Sequence, residues 1–205
     1  MDWTTHLPLI AILRGIGPEE ILDHVQALVD AGITAIEIPT NSPDWARSVQ
    51  LAQQACAGRA VIGAGTVLTT EAVDTLADSG ATLLVTPNVN PKVIAHAVAR
   101  GLYCAIGFAT ASEAFVALEA GAQSLKLFPA STYGAAHARA LKAVLPPQVP
   151  LFAVGGVTPH NLPEFLHAGC AGAGLGSDLY RPGQSAEQTA LKAQQFVQAY
   201  RSARA

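Results

Sequence analysis

A lysine inside an apolar run is the feature of this chain with the clearest chemical consequence. Lys126 lies in Ser124-Leu125-Lys126-Leu127-Phe128-Pro129, a stretch that reads as a buried strand. A parallel strand covered on both faces is expected to be unbroken Val, Ile and Leu, and lysine is rarely buried without a partner or a task. Lys92, Lys142 and Lys192 stand in polar, helix-like or loop-like surroundings and need no such explanation. Burial penalises the ammonium form, so Lys126 should lose its proton easily, and a neutral amine can attack a carbonyl to form a Schiff base. The plainer alternative is a strand-end lysine whose head snorkels to water.

A carboxylate that could serve this amine sits in Ala35-Ile36-Glu37-Ile38. Strand side chains alternate with period two. Ser124, Lys126 and Phe128 therefore share one face while Leu125 and Leu127 pack toward helices, and Glu37 is out of phase with Ile36 and Ile38. Both charges then point to one interior. Beside an imine-forming lysine a carboxylate acts as a proton shuttle; as a structural partner of Lys126 or Arg14 it would only balance charge. Bringing a lysine from about 10.4 to a useful 7 to 8 takes roughly 3 to 5 kcal/mol. Burial and a nearby Arg14 favour that change and an ionised Glu37 opposes it, so Glu37 is expected to approach the substrate more closely than it approaches the lysine.

Other strand ends carry a polar set: Arg14-Gly15, Gly65-Thr66 and Thr86-Pro87-Asn88. Two further ends are glycine-rich, Val154-Gly155-Gly156-Val157-Thr158-Pro159 and Gly174-Leu175-Gly176-Ser177-Asp178-Leu179. Glycines let backbone N–H groups approach an anion closely, and paired loops of this kind at the last two strands of a barrel commonly hold phosphate. A phosphorylated carbonyl compound is the ligand these features suggest. The six histidines, His6, His24, His96, His137, His160 and His167, fall in helices, helix starts or the N-terminal segment with no HxH or HExxH spacing, so no metal site is expected. No GxSxG elbow is present for a serine hydrolase.

These residues need a scaffold that gathers strand ends. Apolar runs at 9–13, 35–38, 60–64, 82–85, 102–106, 124–128, 151–154 and 171–175 recur with amphipathic segments between them. Their centres lie roughly 20 to 26 residues apart, the length of one strand, a loop and a helix. Pro18, Pro43, Pro91 and Pro159 each follow a residue suited to capping and are predicted at first helical positions. Gly32, Gly80, Gly101, Gly121 and Gly169 are predicted to end helices in the left-handed conformation. Ser185-Ala186-Glu187-Gln188 reads as a capping box that opens a last helix toward Arg201. The α/β pattern predicts a single (β/α)8 TIM barrel over residues 1–205. A doubly wound open sheet is the alternative, but the first strand is followed by no GxGxxG turn, and eight open strands would leave edges to protect.

Bulk properties limit the partners. Half of the 205 residues are hydrophobic and only 13% are charged, as expected where many strands are hidden on both sides. A net charge of −3 provides no basic field, so no nucleic acid partner is expected. Cys56, Cys104 and Cys170 are widely spaced and odd in number, which suits reduced, packed thiols. Met1-Asp2-Trp3-Thr4-Thr5-His6 lacks the bases of a signal peptide, and no run reaches the length of a membrane span. The expectation is a cytoplasmic protein without membrane association.

Leu9-Ile10-Ala11-Ile12-Leu13-Arg14-Gly15, Glu37-Ile38-Pro39, Gly63-Ala64-Gly65-Thr66-Val67, Thr86-Pro87-Asn88, Lys126-Leu127-Phe128-Pro129-Ala130, Val154-Gly155-Gly156-Val157 and Gly174-Leu175-Gly176-Ser177 together resemble the bacterial 2-keto-3-deoxy-6-phosphogluconate and 6-phosphogalactonate aldolases. The resemblance covers nearly the whole chain in order. It implies a Schiff-base aldolase without metal or other cofactor, yielding pyruvate and D-glyceraldehyde 3-phosphate from a phosphorylated keto-deoxy sugar acid. It implies Lys126 as nucleophile and Glu37 as proton shuttle. Thr66, Pro87 and Arg14 would hold the pyruvyl carboxylate, Phe128 would pack the pyruvyl end, and Gly155, Gly156, Gly176 and Ser177 would cradle the phosphate. A homotrimer is implied as well. Asn41 and Val154 stand where gluconate-type members carry arginine and threonine; both follow the galactonate-type pattern, which favours the galactonate substrate and galactonate or galactose catabolism. Competing readings are the same reaction on the gluconate isomer or on 4-hydroxy-2-oxoglutarate, a non-catalytic phosphosugar-binding barrel, and a metal-dependent phosphosugar epimerase.

Overall fold

Eight parallel strands close on themselves in chain order, so that every strand, including the first and last, has two neighbours. They are β1 Leu9–Ile12, β2 Ala35–Pro39, β3 Val61–Gly65, β4 Leu83–Val85, β5 Tyr103–Phe108, β6 Ser124–Leu127, β7 Leu151–Val154 and β8 Gly172–Leu175. The helices that follow them are α1 Ile21–Ala31, α2 Trp45–Cys56, α3 Thr70–Asp78, α4 Pro91–Ala99, α5 Ala111–Glu119, α6 Ala130–Lys142, α7 Leu162–His167 and α8 Ala186–Arg204. This is the single (β/α)8 barrel the repeat implied, and closure removes the edges an open sheet would expose. The computed structural model describes residue 3 and residues 5–204; residues 1, 2, 4 and 205 of the expected 1–205 unit, including half of the six-residue segment read against a signal peptide, lie outside that description. Among the described residues no helix is long and apolar enough to cross a membrane.

Alternation along the strands creates two cores. One lies between barrel and helices and includes Leu125, Leu127, Ile36 and Ile38. The other fills the barrel interior with Ile10, Ile12, Ala35, Leu83, Val85, Ala105, Phe152 and Val154. Trp3 packs on Phe152 with ring centroids 4.8 Å apart, and its Nε1 donates to the Tyr103 hydroxyl at 2.9 Å. That contact closes the end of the barrel where strands begin, which leaves the opposite mouth for ligands. Truncating the fully buried Phe152 to alanine would cost about 3 to 5 kcal/mol.

Helix exits follow the sequence reading and entries only partly do. All five helix-ending glycines adopt positive φ, and the Ser185–Gln188 box forms in both directions, although α8 runs three residues past Arg201 to Arg204. Pro91 is the first residue of α4, capped by Asn90 Oδ1. Pro18, Pro43 and Pro159, in contrast, lie in turns before α1, α2 and α7. Two of the residues preceding them differ in use: Ser42 Oγ accepts from the distant Gly15 amide at 2.8 Å, whereas Thr158 Oγ1 accepts from the Asn161 amide three residues on at 3.2 Å, the capping bond the sequence predicts there.

Candidate active site

Lys126 reaches the barrel axis because β6 places it opposite Gly107 on β5 and Phe152 on β7. Its side chain is only 7% exposed. Burial pushes the ammonium pKa down to about 8; Glu37 opposes this and Arg14 adds to it. The glycine beside it keeps the neighbouring loop close. A Cβ on Gly107 would stand 2.4 Å from the Pro87 backbone, and the Gly107 amide donates to Thr86 Oγ1 at 3.1 Å.

Glu37 comes from β2, opposite Ile12 and Gly63, and is 2% exposed. Burial raises its carboxyl to about 7 against the pull of Lys126 and Arg14. Its Oε2 is buried without a hydrogen-bond partner. Among the described residues the ion pairs within 4.0 Å join Asp74 and Asp78 to His96 and Arg100, so Glu37 and Lys126 stand farther apart than a salt bridge. An unpaired buried oxygen costs about 1 to 3 kcal/mol, and a substrate hydroxyl would relieve that cost. The room for the carboxylate comes from Gly65, where a Cβ would lie 1.9 Å from Oε2.

Arg14 and Thr66 meet at the mouth above this pair. The guanidinium donates to Asn41 Oδ1 at 2.6 Å and to Thr66 Oγ1 at 3.4 Å. Thr66 itself has φ of 55°, a left-handed conformation unusual for a β-branched residue. Its carbonyl accepts from Thr40 Oγ1 at 2.6 Å, which fixes it there. The loops after β1, β2 and β3 are thus stitched together by Asn41, Ser42 and Thr40.

The two glycine-rich loops face this group across a cavity of about 490 Å³. All eleven residues expected to form the site line it: Lys126, Glu37, Arg14, Thr66, Pro87, Phe128, Val154, Gly155, Gly156, Gly176 and Ser177. Phe128 is 37% exposed at the rim, its ring centroid 5.2 Å from Lys126 Nζ. Among the described residues no protein acceptor takes the amides of Gly156, Val157, Gly176 or Ser177, which leaves them for an anion. Asn161 fixes the first of these loops, donating to the Gly156 carbonyl at 2.9 Å and accepting from the Thr158 amide at 2.8 Å. The arrangement places a lysine with depressed pKa, a carboxyl with raised pKa and a nest of free amides around one volume. That is the layout for covalent carbonyl chemistry on a substrate with an anionic tail.

Thr158, Asp178, Tyr180, Arg181 and Pro182 also line the cavity and were not foreseen. Arg181 lies two residues past the Gly174–Leu179 stretch read as anion-binding, near enough for its charge to have been a signal. Asn41 was noticed only as a departure from a family pattern, because nothing in the sequence reveals that it holds Arg14. The histidines stay away from the cavity; His24 is buried with Nδ1 2.9 Å from Thr189 Oγ1, and burial lowers its pKa. All three cysteines are free and buried.

Comparison with known proteins places these features in a lineage. The sequence model described as KDPG and KHG aldolase matches residues 2–197. The 2-dehydro-3-deoxy-6-phosphogalactonate aldolase of Escherichia coli (strain K12) is 59% identical over 203 residues, covering 99% of each chain. A solved native KDPGal structure superposes with a TM-score of 0.97 at 59% identity, over 99% of this chain and 98% of that one. A cube-shaped, porous protein cage designed by fusing symmetric oligomeric domains also matches, with a TM-score of 0.95 and 59% identity over 97% of this chain and 73% of that one.

Proposed function

The chain belongs to the KDPG and KHG aldolase family and is a carbon–carbon lyase, and on that premise we propose that it splits 2-dehydro-3-deoxy-6-phosphogalactonate into pyruvate and D-glyceraldehyde 3-phosphate. One observation carries the mechanism: Lys126 and Glu37 are both almost wholly buried, face one cavity and are not ion-paired. The neutral Lys126 amine attacks the C2 ketone, and loss of water gives the protonated imine. Glu37 takes the proton of the C4 hydroxyl, directly or through water. The C3–C4 electron pair then moves to the imine, forming an enamine and releasing D-glyceraldehyde 3-phosphate. Glu37 returns its proton to C3, and water frees pyruvate from Lys126.

The rest of the cavity orients this sequence. Arg14, Thr66 and the Pro87 backbone hold the carboxylate, Phe128 covers the pyruvyl carbons, and the amides of the loops after β7 and β8 hold the phosphate. Val154 offers methyl groups where a threonine would offer a hydroxyl, and its position is set by Gly174, where a Cβ would lie 2.8 Å from Val154 Cγ2. An apolar wall there gives no hydrogen bond to a C4 hydroxyl of gluconate configuration. The reaction belongs to galactonate or galactose breakdown in the cytoplasm, and the active assembly is a homotrimer.

Pyruvate release from the two isomeric phosphorylated acids tests the substrate assignment. The galactonate form is expected to show kcat/KM at least about tenfold higher, the discrimination of roughly one hydrogen bond. Equal rates, or a faster gluconate isomer, would contradict it.

A further inference from the structure

We propose that Arg181 clamps the phosphate of the substrate, supplying the positive charge that the glycine loops lack. The assignment rests on reading this cavity as the site of a phosphorylated substrate. Arg181 lies in the loop between β8 and α8 and lines the same cavity as Gly156, Gly176 and Ser177. Backbone amides carry dipoles but no net charge, and the acid of this end, Asp178, opposes a dianion. The cavity's other cations stand with Glu37: Lys126 on the barrel axis, and Arg14 tied to Asn41 and Thr66. A phosphate seated on the free amides therefore needs a local cation, and Arg181 is the one this loop provides.

The guanidinium is tethered at one nitrogen. Its Nε donates to the Ser177 carbonyl at 2.9 Å, and among the described residues no protein acceptor takes its two terminal nitrogens. Those nitrogens remain for two parallel bonds to phosphate oxygens. The backbone beneath is held by Gln184 in both directions, since Arg181 N donates to Gln184 Oε1 at 3.2 Å and Gln184 N donates to the Arg181 carbonyl at 3.1 Å. Buried Leu179 and Tyr180 anchor the segment, with Tyr180 edge-on to His24 at 5.0 Å. On its other side Pro182 abuts Gly15, where a Cβ would come within 2.7 Å. Such fixing lowers the ordering cost of binding.

Titration of the full-length protein with glycerol 3-phosphate, with glycerol as control, tests the clamp. Arg181→Ala should weaken the phosphate ester about 10- to 100-fold, the value of a charge-assisted pair. Arg181→Lys should fall between, because it keeps the charge but not the fork. Pyruvate plus borohydride, applied to the same samples, should label Lys126 equally in all three proteins. Equal ester affinity in wild type and Arg181→Ala would overturn the clamp, as would absence of ester binding by the wild type. So would parallel loss of ester binding and labelling in both variants, which would mark Arg181 as a structural support. Ester binding that depends on Arg181 without labelling of any protein would sustain the clamp and overturn the aldolase reading instead.

Discussion

Glu37 and Lys126 each cost the fold stability at neutral pH, because burial works against the charged form of both. The two costs occupy different pH ranges. Glu37 has its pKa raised from 4.5 to about 7, so its contribution is most favourable below 4.5 and is lost as pH rises through 7. Lys126 has its pKa lowered from 10.5 to about 8, so its contribution is most favourable above 10.5 and is lost as pH falls through 8. Both costs are therefore greatest near pH 7 to 8. The double variant Glu37→Gln, Lys126→Met should gain about 1 to 4 kcal/mol there, with the gain shrinking toward pH 5 and pH 10. Denaturant unfolding across that range checks this, and a gain independent of pH would contradict it. The two residues proposed to do the chemistry are thus ones the fold would do better without, which is why they stand out in the sequence as misplaced charges.

At the level of the strand, β3 shows how glycines divide between fold and site. A Cβ on Gly63 would lie 1.9 Å from the Leu83 carbonyl oxygen, backbone against backbone, whereas a Cβ on Gly65 meets the Glu37 carboxylate. Gly63→Ala should lower stability by about 1 to 3 kcal/mol. Gly65→Ala should instead displace the carboxylate and cut kcat by at least about 100-fold, a proton-shuttle effect, with a smaller change in melting temperature. If both variants lost stability and activity in the same proportion, this division would be wrong. Strand positions and helix exits were readable because apolar runs and helix-ending glycines are local signals. Helix entries were less so. Gly17-Pro18, Ser42-Pro43 and Thr158-Pro159 have the local pattern of a helix start; Thr158 does cap its own turn through the Asn161 amide, but the Ser42 side-chain oxygen is spent on the distant Gly15 amide, a tertiary use that local pattern cannot reveal.

For the whole molecule, the repeat length and the absence of edge protection made a closed barrel legible, and period two told which side chains face its axis. What the sequence could not reveal lies in contacts between loops distant in the chain, such as Asn41 on Arg14 or Pro182 against Gly15. The proposed trimer would cover apolar surface that one chain leaves exposed. Of the exposed large apolar side chains, Val98, Phe115, Val116, Tyr133 and Val144 fall in sequence between α4 and the turn just after α6. If the proposed trimer of 21.1 kDa chains covers Phe115, sedimentation equilibrium should report the trimer mass, and Phe115→Glu should shift it toward the monomer. A monomeric wild type would contradict this. All these levels converge on one amine kept reactive at the centre of the barrel. Incubation with pyruvate and borohydride, followed by peptide mass mapping, is the most direct measurement of that claim. The account predicts a reduced pyruvyl group on Lys126 alone among the four lysines, absent without pyruvate; an unmodified Lys126, or a label spread over the surface lysines, would contradict it.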